Sequence, residues 1–175
     1  MAMAVDTLSA AAGSARVVAV AESPADADRL GRIPNVSVHR TSVTGLNEAI
    51  VDGVKSLTAG GAAPWLAVLP GDLPGLRSDE LTSVLRRCAD HRLAVVADHQ
   101  GVGTTLLAAT EPAALQPRYG PSSFRSHLLA GAVPIELPAG SSLRWDVDTL
   151  ADLTATAGPL TSAVLQRIRS CPSAR

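Results

Sequence analysis

Three carboxylates in this chain stand where an α/β sheet collects its ligands, beyond the carboxyl ends of its strands. Asp72 lies in Gly71-Asp72-Leu73-Pro74, directly after an apolar run, and Asp146 and Asp148 lie in Trp145-Asp146-Val147-Asp148-Thr149. Asp146 and Asp148 are two apart, so an extended backbone would turn both side chains to one face. Carboxylates gathered in this way could hold one or two hard divalent cations. Mg²⁺ takes one or two carboxylates and completes its octahedron with water and phosphate oxygens. The plainer reading is that each Asp serves a turn or a helix cap, Asp148 ahead of Thr149-Leu150-Ala151-Asp152-Leu153 in particular. Three such residues at strand ends in one chain favour the metal.

Two further stretches suit an anion. The turn at 98–105, Asp-His-Gln-Gly-Val-Gly-Thr-Thr, offers glycines that let a backbone approach a ligand and hydroxyls at Thr104 and Thr105. It lacks the third glycine of a dinucleotide fingerprint, and a tight turn between two strands explains it equally well. At 117–126, Gly120-Pro121 leads into a helix whose first turn holds Ser122 and Ser123, with Arg118 and Arg125 nearby. Free amides at a helix start, hydroxyls and guanidinium groups together would suit a phosphate or carboxylate. Simple N-capping by serine is the alternative. Four aromatic residues occur, and three of them, Tyr119, Phe124 and Trp145, lie in or beside these stretches, where they could wall a pocket. The four histidines show no ligand spacing and read as surface or capping residues.

Composition narrows the partners. The chain has 175 residues, 46% hydrophobic and 18% charged, enough to bury a core without staples. Its net charge is −1, so duplex nucleic acid is a poor partner. Lys55 is the single lysine among 15 basic residues, so an anion site must use arginine, backbone amides or a metal. Cys88 and Cys171 have neither zinc spacing nor a disulfide pattern, which fits a reducing, cytoplasmic setting. The opening residues lack the basic start of a signal peptide, and no apolar run reaches a membrane span. Neither a P-loop nor a nucleophile elbow is present.

Elements that could position these residues alternate along the chain. Strands are expected at 15–22, 36–40, 64–76, 93–98, 103–109, 134–137 and 143–149. Helices are expected at 1–13 with Gly13 as a stop, 24–33, 45–61 with Gly60-Gly61 as a stop, 79–91 capped by Ser78, 121–132, 149–158 and 159–170. The alternation predicts one α/β domain over 1–175, with a mixed, mostly parallel sheet covered by helices on both faces.

Asp146-Val147-Asp148-Thr149 also resembles the signature of haloacid-dehalogenase-type phosphatases. There the motif closes the first strand with the catalytic domain following, and too little chain follows Asp148 here. A wider resemblance holds. Leu-Pro-Gly-Asp-Leu-Pro (69–74), Gly-Val-Gly-Thr (101–104), Pro-Arg-Tyr-Gly-Pro-Ser-Ser (117–123) and Trp-Asp-Val-Asp-Thr (145–149) occur in the order of the 2-phospho-L-lactate / phosphoenolpyruvate guanylyltransferases of coenzyme F(420) biosynthesis. Gly-Leu-Asn-Glu-Ala-Ile (45–50) is similar to that family's segment on the nucleotide side. The resemblance implies a Rossmann-like, nucleotide-diphospho-sugar transferase-like fold. It implies transfer of GMP from GTP to phosphoenolpyruvate or 2-phospho-L-lactate, with pyrophosphate released. It places Mg²⁺ on Asp72, Asp146 and Asp148, the phospho-carboxylate acceptor on Thr104, Gly120 and Ser123, and nucleotide contacts on Asn47 and Gly71. A downstream transferase of the same pathway would be the protein partner. The chain departs from the family at its front, where an opening strand and a basic phosphate-gripping loop are expected. That departure keeps a non-catalytic form that binds the phospho-carboxylate as one alternative, and a related nucleotidyltransferase with another base or acceptor, sharing the metal site but not the pocket, is the other.

Overall fold

The structure is a computed structural model that describes residues 1–59, 61 and 65–170. Gly60, Pro64 and Cys171, which figure in the expectations above, lie outside the described residues. The chain runs α1 (Ala2–Ala12), β1 (Val17–Ala21), α2 (Pro24–Leu30), β2 (Val36–Arg40), α3 (Leu46–Thr58), β3 (Leu66–Val68), α4 (Ser78–Cys88), β4 (Leu93–Ala97), β5 (Thr104–Ala109), α5 (Ser123–Leu129), β6 (Val133–Pro134), α6 (Leu150–Thr156) and α7 (Pro159–Ser170). Short 3-10 turns occupy Pro112–Ala114 and Ser142–Arg144.

The sheet is mixed, and it comes in two pieces. β1 and β2 pair in parallel. The larger piece has the order β3-β5-β4-β6, with β5 antiparallel to both β3 and β4 and with β6 parallel to β4. β5 reverses because the 98–103 turn joins it to β4 as a hairpin, too short for the helical crossover that a parallel pair needs. β1 and β3 border a cavity of about 680 Å³ lined by Val17, Val18, Leu66, Ala67, Leu69 and Thr7, among others.

Helices cover both faces of the larger piece, and the strands show why. On β4 and β5, Ala94, Val96, Leu106 and Ala108 pack with Leu81, Val84, Leu85 and Cys88 of α4. Their neighbours Val95, Leu107 and Ala109 turn to the other side, against Ile50 and Val54 of α3 and Phe124 of α5. That alternation is the two-residue period of a strand buried on both faces. A smaller core joins β1 to Leu30 and Ile33, with Val5 and Leu8 of α1 beside them.

β3 and β6 are shorter than the strands expected at 64–76 and 134–137, and two further features differ from expectation. Ser78 does not cap α4; Arg77 precedes the helix without a side-chain cap, and Ser78 Oγ donates to Ala10 O at 2.7 Å instead. Residues 143–149 form no strand. Ser141 Oγ accepts from Leu143 N, Ser142 Oγ donates to Glu80 at 2.6 Å, and Trp145 Nε1 donates to Ala139 O at 3.1 Å. These side-chain bonds fold the segment into a 3-10 turn followed by irregular chain, ordered without a sheet partner.

Candidate active site

Each carboxylate is placed by a different local device. Thr7, buried on α1, accepts from Leu73 N at 3.1 Å and donates to Met3 O at 2.9 Å, with Gly71 O a further acceptor at 3.3 Å. That single hydroxyl fastens the Gly71–Pro74 turn to the first helix and presents Asp72. The carbonyl of Asp72 accepts from Val147 N at 3.0 Å, which ties the 145–149 segment to the same turn. Asp148 is exposed and does not cap α6. Thr149 does so, in a reciprocal capping box with Asp152, which leaves the Asp148 carboxylate uncommitted.

The structure brings Asp72, Asp146 and Asp148 close enough for their charges to act on one another, and adds Asp98. Burial, joined by the negative charges of Asp148, Asp98 and Asp72, pushes the Asp146 carboxyl up to about 6. Burial and then Asp148 raise Asp72 as well. Asp72 Oδ1 and Asp146 Oδ1 are buried with no hydrogen-bond partner, as is His99 Nδ1, which stands 3.7 Å from Asp146 Oδ1. The His99 ring stacks on Trp145 with centroids 4.4 Å apart. Among the described residues no three His, Cys, Asp or Glu side chains form a ready-made metal cage. A cation here would find two buried oxygens without hydrogen-bond partners, on Asp72 and Asp146, and would have to keep water or phosphate in its other coordination sites.

The glycine turn is not an anion cradle. Asp98 Oδ1 accepts from Val102 N at 2.9 Å and Asp98 Oδ2 from Gly103 N at 2.7 Å, so both amides are already used. A Cβ at Gly103 would fall 2.5 Å from Asp98 Oδ2, which explains the glycine there. Arg144 grips the same turn from outside, donating to Asp98 O at 2.9 Å and to His99 O at 3.3 Å. The start of α5 is likewise committed. Ser123 N donates to Gly120 O and Phe124 N to Val102 O, so two of the amides expected to be free at this helix start are already used. Serine capping is absent too, because Ser122 sits in the left-handed region and makes no side-chain cap bond.

A polar network replaces those amides. Thr104 Oγ1 lies 3.0 Å from His127 Nδ1 and accepts from Ser123 Oγ at 3.1 Å. His127 Nε2 accepts from Arg118 N at 2.9 Å. Asn47 clamps the neighbouring residue, with Oδ1 accepting from Tyr119 N at 2.8 Å and Nδ2 donating to Tyr119 O at 3.0 Å. The 117–123 loop is thus held from α3 and from α5, and Gly120 follows at φ +135, where only glycine is at ease. Asn47 stands beside the acceptor residues, with its amide spent on that loop. Gly71 stands beside Asp72, and it also lines the 680 Å³ cavity.

Three of the histidines, Asp98 and Thr7 escaped the sequence reading. The histidines are not surface residues as a group: His127 is fully buried, His99 stacks on Trp145, and His39 Nε2 lies 2.7 Å from Asp52. His127 follows Ser123 by four positions on a helix, a spacing that stacks them on one face and could have linked the two. Asp98 was legible as an acceptor-capped turn ahead of Gly101 and Gly103. Thr7 carried no local signal.

Comparison with known proteins follows the same lines. Residues 1–132 match the family model described as a MobA-like NTP transferase domain. A phosphoenolpyruvate guanylyltransferase of Sanguibacter keddieii is 46% identical over 132 residues, which cover 70% of this chain and 46% of that protein. One from Frankia casuarinae is 42% identical over 149 residues, 83% of this chain and 45% of the relative. One from Thermomonospora curvata is 35% identical over 175 residues, 96% of this chain and 77% of the relative. The chain spans about half the length of the first two. A cytidylyltransferase from Leptospira borgpetersenii serovar Hardjo-bovis superposes with a TM-score of 0.55 at 16% identity, covering 98% of this chain and 84% of that one, a likeness of fold.

Proposed function

The chain belongs to the MobA-like NTP transferase family and, within it, to the phosphoenolpyruvate guanylyltransferases, and on that footing we propose that it transfers GMP from GTP to phosphoenolpyruvate with release of pyrophosphate. 2-Phospho-L-lactate is the alternative acceptor, and coenzyme F(420) biosynthesis is the setting, in the cytoplasm, with a downstream transferase receiving the product. The observation that carries the reading is the length of the match, which spans 96% of the chain and so takes in the segments that hold the acidic cluster and the Thr104–Ser123 pocket.

Asp72, Asp146 and Asp148 would hold Mg²⁺, and the unpartnered buried oxygens of Asp72 and Asp146 support that assignment. When bound, the ion would neutralise charge on the attacking and leaving oxygens of an in-line displacement at the α-phosphorus of GTP. The rest falls to the chain itself. Thr104, Gly120 and Ser123 would meet the acceptor. Asn47 and His127 keep the loop before them in place, and positioning of this kind accounts for much of the rate in phosphoryl transfer. Gly71 would let the nucleotide approach the backbone beside Asp72. The acceptor phosphate is already ionised at neutral pH, so no general base is required.

Pyrophosphate release with GTP and phosphoenolpyruvate, with and without Mg²⁺, tests the proposal. Metal-dependent release that prefers GTP over other nucleoside triphosphates is the expected result. Release with another base would move the chain to a different nucleotidyltransferase chemistry. Acceptor binding without turnover would leave it a binding protein.

A further inference from the structure

His127 is fully enclosed, and the reaction outlined above makes no direct use of it. Both its ring nitrogens are occupied, and their partners decide where its proton sits. Nε2 faces the backbone N–H of Arg118 at 2.9 Å, a group that can only donate. Nε2 must therefore accept, and a neutral ring then carries its hydrogen on Nδ1. Burial, followed by the Arg118 charge, pushes His127 down to about 4, so the ring is neutral at ordinary pH. The other titratable group packed on it is Tyr119, whose ring meets it edge-on at 5.3 Å.

The consequence lies at Nδ1, 3.0 Å from Thr104 Oγ1. With a hydrogen on Nδ1, the bond runs from histidine to threonine. Thr104 and Ser123, 3.1 Å apart, own two hydroxyl protons, and the bond between them uses one. The second has no protein acceptor in the network. In the opposite tautomer, Thr104 would donate to Nδ1, Ser123 would donate to Thr104, and no proton would be left over. The Arg118 amide thus determines, through the imidazole, whether the hydroxyl pair has a proton to give. Both hydroxyls are nearly closed to solvent, so a spare donor there is costly unless a ligand takes it.

We propose that His127 is a positioning residue that presents Nδ1–H to Thr104 and thereby leaves the Thr104–Ser123 pair one hydroxyl proton to donate to an oxyanion of the acceptor. This deepens the function proposed above and rests on it. It makes the pocket selective for phosphate or carboxylate oxygen, which only accepts, over groups that must donate.

The histidine tautomer can be read directly on the ¹⁵N-labelled chain by long-range ¹H–¹⁵N correlation, without ligand or turnover. The expected spectrum at pH 7 shows His127 neutral, with Nδ1 protonated and Nε2 bare. An Nε2–H tautomer or an imidazolium overturns the proposal. Titration with phosphoenolpyruvate, and separately with inorganic phosphate, should shift the Nδ1 resonance. If neither anion moves it, the proposal fails. If phosphate moves it while the chain transfers no GMP, the positioning role stands and the guanylyltransferase reading falls. In the active enzyme, His127→Leu should raise KM for phosphoenolpyruvate about tenfold or more while leaving KM for GTP nearly unchanged. His127→Asn, whose amide can still donate to Thr104, should recover most of that loss. Equal rises in both KM values, or no recovery by asparagine, would show a merely structural role and sink the idea.

Discussion

Two polar regions meet at the Asp98–Gly103 turn, and they are built on opposite principles. In the Asn47–Thr104–His127 network each buried amide, ring nitrogen and carbonyl of the 117–123 loop that the side chains reach has a partner in the chain. Around Asp72 and Asp146, buried carboxylate oxygens have no hydrogen-bond partner, Asp146 Oδ1 meeting only His99 Nδ1 at 3.7 Å, and like charges crowd together. A satisfied network in a low-dielectric interior stiffens its surroundings. An unsatisfied one costs stability and is kept where a ligand will complete it. The first region is a scaffold that keeps one hydroxyl proton for its ligand, and the second is a site whose carboxylates its own chain leaves unfinished.

Asp72→Asn gives the largest contrast. Losing the carboxylate should lower the rate of pyrophosphate release by at least about a hundredfold. The fold should be unharmed or slightly firmer, because a neutral amide removes a carboxylate that is raised by burial and then by a neighbouring negative charge. Activity assays beside thermal melts would check both halves. A variant that lost activity because it had unfolded would contradict the contrast.

Acid should push the two regions in opposite directions. His127 titrates near 4 in the fold against an ordinary 6.5, so its support is full above 6.5 and is lost as pH falls toward 4, by about 3 kcal/mol. Asp146 titrates near 6 against an ordinary 3.8, so its contribution is full below 3.8 and is lost as pH rises through 6, by at most about 3 kcal/mol. In metal-free buffer the two nearly cancel between pH 6 and 4. Asp146→Asn should unmask the histidine and leave the chain markedly acid-labile over that window. Denaturant melts of both chains across it measure the difference, and parallel curves would refute the opposition.

Asn47→Ala probes the scaffold alone. It strands the Tyr119 N–H and C=O, a loss of about 2 kcal/mol for two partly buried backbone bonds. Chemical denaturation would show it as a lower midpoint, and the acceptor KM should rise as the loop loosens.

The contrast also explains what could be read in advance. The α/β alternation, the buried face of α4 and Asp72 were legible because each leaves a local mark, a period or an Asp after an apolar run, whereas Asp146 and Asp148 were read from a strand that the chain does not form there. The network was not. Thr7 reaches Leu73 across 66 positions, and Asn47 reaches Tyr119 across 72, so neither carries a sequence signal. The anion cradle expected of Gly101–Gly103 failed because a competing acceptor, the Asp98 side chain, was already inside the turn. The strand expected at 143–149 failed for a similar reason, since serine and tryptophan side chains captured backbone groups that a ladder would have used.

Mg²⁺ should have the smallest effect on the fold and the sharpest address. An ion that binds only the folded chain adds about 1.4 kcal/mol at ten times its dissociation constant. At pH 7 the wild-type midpoint should rise accordingly, because Asp146 is then ionised and its orphaned oxygen can take the cation. At pH 5 the gain should shrink, since the ion must first displace a proton from a carboxyl that titrates near 6. Asp146→Asn should abolish the gain at both pH values, while Asn47→Ala, with the acidic cluster intact, should keep it. The reverse pattern, protection lost with Asn47 and retained without Asp146, would mean that the ion completes the loop network and that the unfinished region lies there.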